Sequence, residues 1–150
     1  MENGLISYRH NVGQSVYHVI WCPKYRFNLF RKPGTARECE AVLRGIAARH
    51  GLRVVELFVM PDHVHLVVGV PPTMAPSKAF QLLKGGSAYE LFKAHPNMRK
   101  RYPRGHLWSP GTCFRSVGDA DLETVKQYVR TQADRHQHTL AEYTTGYPGL

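Results

Sequence analysis

Two apolar runs rich in β-branched residues, separated only by Pro61 and Asp62, constrain this chain more than any other feature. Residues 53–60 and 63–70 each have the length and composition of a strand, and so short a break predicts an antiparallel hairpin. Side chains alternate across a strand, so Val64, Leu66 and Val68 can enter a core together. His63 and His65 then leave together on the other face. Two imidazoles side by side can share one cation. A pair of half-exposed strand histidines is the commoner explanation of such a triplet, and His63-Val64-His65 alone leaves both readings open.

The segments around the hairpin suggest how it is covered. Residues 16–22 read as a strand limited by Pro23, and Lys24-Tyr25-Arg26-Phe27 continues in extended, basic and aromatic style. Pro33-Gly34-Thr35 breaks the chain. From 36 to 50, Cys39, Val42, Leu43, Ile46 and Ala47 recur at helical spacing, with Gly51 in the favoured C′ position. A second helix is expected over 77–94, with Phe80, Leu83, Leu91 and Phe92 buried. Gly85-Gly86 lies inside it, which means either a close approach by DNA or a neighbouring strand, or a helix that breaks there.

Residues 95–105 form a basic, proline-containing loop, and Leu107-Trp108 and 112–117 look like short strands. Gly118-Asp119-Ala120-Asp121 is a helix-start signal for a last helix over 122–135. The order β-α-β-β-α-β plus a helix predicts an α+β fold of the split βαβ kind, ferredoxin-like or RRM-like. Its antiparallel sheet would carry helices mainly on one face. The expected division is a domain over 1–136 and a polar, loose tail over 137–150.

Twenty Lys and Arg against eleven acids give a formal charge of +9 on 150 residues, which favours polyanionic partners. Cys22, Cys39 and Cys113 form no C-x-x-C pair, so neither a disulfide framework nor a cysteine zinc cluster is suggested. No apolar signal region or membrane-length run is present, so a soluble, cytoplasmic protein is expected. There is no phosphate-binding glycine loop and no H-E-x-x-H.

In the last helix the apolar stripe is Leu122, Val125 and Val129, and Tyr128 and Gln132 are neighbours at i and i+4 along its margin. They can point into a cleft, or the tyrosine can pack in the core with the glutamine at its rim. A phenol can attack phosphorus. With an unperturbed pKa of about 10 it needs activation or a metal-polarised target at neutral pH.

Met60-Pro61-Asp62-His63-Val64-His65-Leu66 closely resembles the HUH motif of the IS200/IS605 single-tyrosine transposases. The resemblance extends to Tyr17 through Arg26, Leu83-Lys84-Gly85-Gly86-Ser87-Ala88, Leu107-Trp108-Ser109-Pro110, and Tyr128 with Gln132, in the family's order. It implies Tyr128 as the nucleophile that becomes joined to a 5′ phosphate of single-stranded DNA. It also implies His63, His65 and Gln132 as ligands of Mg²⁺ or Mn²⁺. Two imidazoles and one amide oxygen suit Mn²⁺ better than Mg²⁺. The resemblance further implies recognition of end hairpins, and a homodimer whose active site can be shared between subunits. The chain departs from the family at Gly111-Thr112-Cys113-Phe114, and the tail after His136 has no counterpart. Lys24, Tyr25, Arg26, Lys84, Ser87, Trp108 and Arg115 are the expected DNA contacts, with Arg99, Lys100 and Arg101 as further candidates for phosphates. Two other readings stay open. One is a domesticated, repetitive-element-associated relative acting on host palindromes. The other is a non-catalytic module that binds single-stranded nucleic acid.

Overall fold

The computed structural model describes residues 6–7, 12–13 and 15–117. A short pair, β1 (Ile6–Ser7) and β2 (Val12–Gly13), precedes the main sheet. That sheet holds β3 (Val16–Trp21), β4 (Arg53–Met60), β5 (His63–Gly69) and β6 (Cys113–Ser116), in the order β4-β5-β3-β6 with every neighbour antiparallel. Between the strands run α1 (Pro33–Arg49), α2 (Pro76–Ala94) and the five-residue α3 (Pro96–Lys100). This is the split βαβ arrangement expected from the order of the segments. Among the described residues no helix is long and apolar enough to cross a membrane.

Strand register sorts the sheet into two faces. Val19 lies opposite Leu66, Trp21 opposite Val64, and Leu57 and Val59 opposite Leu66 and Val64. These side chains form one apolar cluster with Cys39, Leu43, Ile46 and Ala47 of α1 and Ala79, Phe80, Leu83 and Leu91 of α2. The helices therefore cover this face, as the apolar periodicity of each requires. Burying one such leucine contributes about 1.5–3 kcal/mol.

Several local expectations need correction. Pro33 does not break the chain; it occupies the first turn of α1, where its missing N–H is no loss and its fixed φ suits the helix. The helix α2 runs unbroken through Gly85-Gly86. A Cβ on Gly86 would stand 2.8 Å from Ile46 Cδ1, so the close approach there is that of α1. The stretch 95–105 is not all loop, because α3 lies within it. Leu107-Trp108 is not a strand: Trp108 makes an isolated bridge to Pro23. Lys24–Arg26 is a 3-10 turn rather than extended chain, closed by the Arg26 N–H donating to the Pro23 carbonyl at 2.8 Å.

Candidate functional site

The face of the sheet opposite α1 and α2 carries the two histidines singled out from the sequence. His63 and His65 leave β5 on this side, beside Met60 and Phe58 of β4 and Ile20 of β3. Neither is half-exposed: His63 is 1 % and His65 0 % accessible. Their ring centroids are 4.5 Å apart with planes at 60°. His18, two residues before Ile20 on β3, stacks on His65 at 6.5 Å and 18°. Burial first, and the nearby Arg115 charge second, push the His18 imidazole down to about 3, so it is neutral at physiological pH.

His63 is oriented by its sequence neighbour. Its Nδ1 lies 2.6 Å from Asp62 Oδ1, while the other carboxylate oxygen accepts from Arg26 Nη2 at 3.2 Å. Burial alone would push the Asp62 carboxyl up. The hydrogen bond from His63 and the Arg26 guanidinium beside it outweigh this, and the carboxyl is held below its ordinary value. An ionised Asp62 only accepts, so His63 Nδ1 donates. In the neutral ring that leaves Nε2 with its lone pair. This Nε2 is buried and has no hydrogen-bond partner among the described residues. A buried nitrogen acceptor in that state is a good metal donor, and a carboxylate on the far ring nitrogen is the usual outer support of a metal-bound histidine.

The described residues do not complete a metal site. Among them, no group of three or more His, Cys, Asp or Glu side chains is placed to hold a metal ion. His63 and His65 fit the histidine half of a mixed imidazole and oxygen donor set. Tyr128 and Gln132, the expected nucleophile and third ligand, lie outside the described residues, as does the expected last helix.

The residues expected to contact DNA separate into two groups. Tyr25 is well exposed, stacked on Tyr102 at 6.2 Å, with Lys24 Nζ 5.5 Å from its ring centroid. Arg115 is half-buried on β6, opposite His18. Arg99, Lys100 and Arg101 are exposed, whereas Trp108, Ser87, Lys84 and Arg26 make contacts within the fold. Trp108 is buried, edge-on to Trp21 and stacked on Phe30, and its Nε1–H donates to the buried Ser87 hydroxyl at 2.9 Å. The Lys84 ammonium donates to the Ser109 and Gly111 carbonyls at 2.8 and 3.2 Å and to Thr112 Oγ1 at 3.0 Å, pinning the approach to β6. Arg26 is paired with Asp62.

Sequence reasoning did not single out two residues of this neighbourhood. Asp62 was read as part of a tight break. His18 sat in a strand whose register against β5 no local signal gives.

The turn that presents Arg26 is strained. Tyr25 and Arg26 have φ of 66° and 51°, and they are the two non-glycine residues with positive φ among those described. Each such residue costs on the order of 1–2 kcal/mol.

The family described as "Transposase IS200 like" matches residues 11–132. The chain belongs to the IS200-like transposase family. Among curated relatives, the ISDra2 transposase TnpA of Deinococcus radiodurans is 37% identical over 127 residues, covering 85% of this chain and 90% of the relative. The transposase for insertion sequence element IS200 of Salmonella typhimurium is 25% identical over 143 residues, covering 95% and 92%. A D. radiodurans R1 crystal structure described as that of a candidate transposase matches with a TM-score of 0.68 and 35% identity. The match covers 85% of this chain and 97% of that one. A REP-associated tyrosine transposase, solved bound to a REP hairpin, shares the fold at a TM-score of 0.62 and 12% identity, over 95% of this chain and 80% of that one. The IS200-like transposase thus has the family that its HUH and tyrosine blocks resemble, and its general activity is DNA recombination by transposition.

Proposed function

We propose that this IS200-like transposase cuts and rejoins single-stranded DNA at the ends of an insertion sequence, with Tyr128 as nucleophile. The observation that carries the reading is the pair His63 and His65, buried side by side on the face of the sheet opposite α1 and α2, with His63 Nε2 without a hydrogen-bond partner among the described residues. The match to the transposase family extends to residue 132, and so includes both Tyr128 and Gln132. In this reading the Tyr128 oxygen attacks phosphorus and a bond forms between them. The bond from phosphorus to the 3′ oxygen breaks, and the phenol proton is lost to solvent or a nearby base. A 3′ hydroxyl leaves, and the 5′ phosphate stays on the tyrosine. A second 3′ hydroxyl reverses the step and frees Tyr128. One phosphodiester is exchanged for another, so no nucleotide triphosphate is consumed.

His63 and His65, with Gln132, would hold a divalent cation, Mn²⁺ or Mg²⁺, which when bound would supply polarisation of the phosphate. The chain's positive charge retains the polyanion. Its DNA partner carries hairpins at the element ends, and the protein works as a homodimer whose subunits can share an active site.

The test is incubation of the full chain with Mn²⁺ and single-stranded DNA carrying an element end. A covalent protein–DNA adduct should form, disappear in Tyr128→Phe, and disappear on chelation of the metal. An adduct that persists in Tyr128→Phe removes Tyr128 from the role. Mixing Tyr128→Phe with His65→Ala subunits should restore the adduct if the site is shared.

A further inference from the structure

His63 is held by a relay that begins outside the sheet. The 3-10 turn after β3 is fixed at both ends: Lys24 N–H donates to the Leu107 carbonyl at 2.8 Å, and Arg26 N–H to the Pro23 carbonyl at 2.8 Å. Its tip is fixed too, by the Tyr25 ring packed 5.4 Å from Phe27 and stacked parallel, within 8°, on Tyr102. These contacts force Tyr25 and Arg26 into consecutive left-handed conformations that bulky residues avoid. What the strained backbone achieves is the placement of one guanidinium against Asp62 Oδ2, at 3.2 Å. Asp62 turns its other oxygen to His63 Nδ1, at 2.6 Å. Backbone strain concentrated beside a functional group points to a positioning role.

We propose that Arg26 and Asp62 are positioning residues that lock the His63 ring, with its Nδ1 proton on Asp62 and its Nε2 presented to the metal. Arg26, expected from the sequence to meet DNA, acts instead through Asp62. The metal part of this inference rests on the function proposed above. The orientation of the His63 ring does not, and can be read without metal.

The experiment uses the full chain and two readouts. Nitrogen-15 NMR of the imidazoles in metal-free protein reports which ring nitrogen of His63 carries the proton. Titration with Mn²⁺ alone, by calorimetry or electron paramagnetic resonance, reports affinity. Wild-type His63 should be protonated on Nδ1. Asp62→Ala should move the proton towards Nε2 and weaken Mn²⁺ binding about 10- to 100-fold, the usual effect of losing an outer support of a metal ligand. Asp62→Asn keeps an acceptor oxygen and should restore the wild-type tautomer.

Arg26→Gly tests the relay's first member, because glycine accepts the left-handed backbone without strain. It should keep or raise the melting temperature while weakening Mn²⁺ binding several-fold. Added to Asp62→Ala it should weaken binding no further, since Arg26 acts through the aspartate.

Asp62→Ala with wild-type tautomer and affinity would overturn the proposal. So would Arg26→Gly that lowers the melting temperature and leaves affinity unchanged, the signature of a purely structural arginine. If the wild type binds no Mn²⁺ at all, the metal role of the histidines fails, and the tautomer measurement still decides whether Asp62 sets the ring.

Discussion

The two faces of β5 are buried alike and differ in chemistry. Val64, Leu66 and Val68 meet the helices; His63, Val67 and His65 meet the other side, and all six are within 1 % of complete burial. On the first face burial is the source of stability, roughly 1.5–3 kcal/mol for each large side chain. On the second, a buried ring nitrogen without a partner costs about 1–3 kcal/mol. A strand selected for stability alone would carry leucine or valine at 63 and 65. That it carries histidine, with an aspartate hydrogen-bonded to one of them, is what the proposed metal role would explain.

Substitution on the two faces should therefore fail in opposite ways, and this is the largest effect expected. Leu66→Ala should lower the free energy of unfolding by about 2–5 kcal/mol in urea titration, through lost transfer energy and the cavity left among α1 and α2. His63→Ala and His65→Ala should cost less stability. They should reduce adduct formation by more than the roughly 10- to 100-fold attributed to an outer support. If His63→Ala unfolds the protein as readily as Leu66→Ala, the two faces are not divided in this way.

A second test concerns polar groups on the stabilising side. The Trp108 indole N–H donates to the buried Ser87 hydroxyl, which itself donates to the Lys84 carbonyl. Ser87→Ala leaves the indole N–H buried and unpaired and should cost about 1–3 kcal/mol. Trp108→Phe in the same protein removes the orphaned donor, so the double variant should lose less stability than the sum of the two single changes. Additive losses would show that the hydrogen bond contributes little.

How much of this was legible beforehand follows from the range of the forces involved. The four strands of the main sheet, α1 and α2 rest on local periodicity and match their expected bounds to within a few residues, whereas the short β1–β2 pair has no such signal and Leu107-Trp108 has one without being a strand. The shared face of His63 and His65 follows from alternation alone. The neighbourhood of His18 and His65 depends on β3–β5 register, which is set by packing across forty-odd residues of chain. The relay through Asp62 depends on a left-handed Tyr25-Arg26 pair that those side chains disfavour, so propensity argued against it. That Lys84 and Trp108, expected as DNA contacts, also hydrogen-bond within the fold has no local signal, because their partners Ser109 and Ser87 lie 25 and 21 residues away in sequence. Tyr128 and Gln132 were placed together by their i, i+4 spacing and lie beyond the described residues, so their approach to the histidines is tested by the adduct experiment.

The smallest effect separates two adjacent glycines within the helical layer. Gly85 and Gly86 both sit inside α2, where glycine is about 1 kcal/mol less favourable than alanine. A Cβ at Gly85 would meet nothing within 4 Å, whereas at Gly86 it would stand 2.8 Å from Ile46 Cδ1. Gly85→Ala should therefore stabilise the protein by about 1 kcal/mol. Gly86→Ala should gain less or lose slightly, because the same helical advantage is offset by moving a terminal methyl in a packed core. Ile46→Val, which shortens that side chain, should make Gly86→Ala more favourable than it is in the wild type. Equal gains at both glycines would mean that α1 and α2 are less tightly apposed on this face than the contact at Ile46 implies.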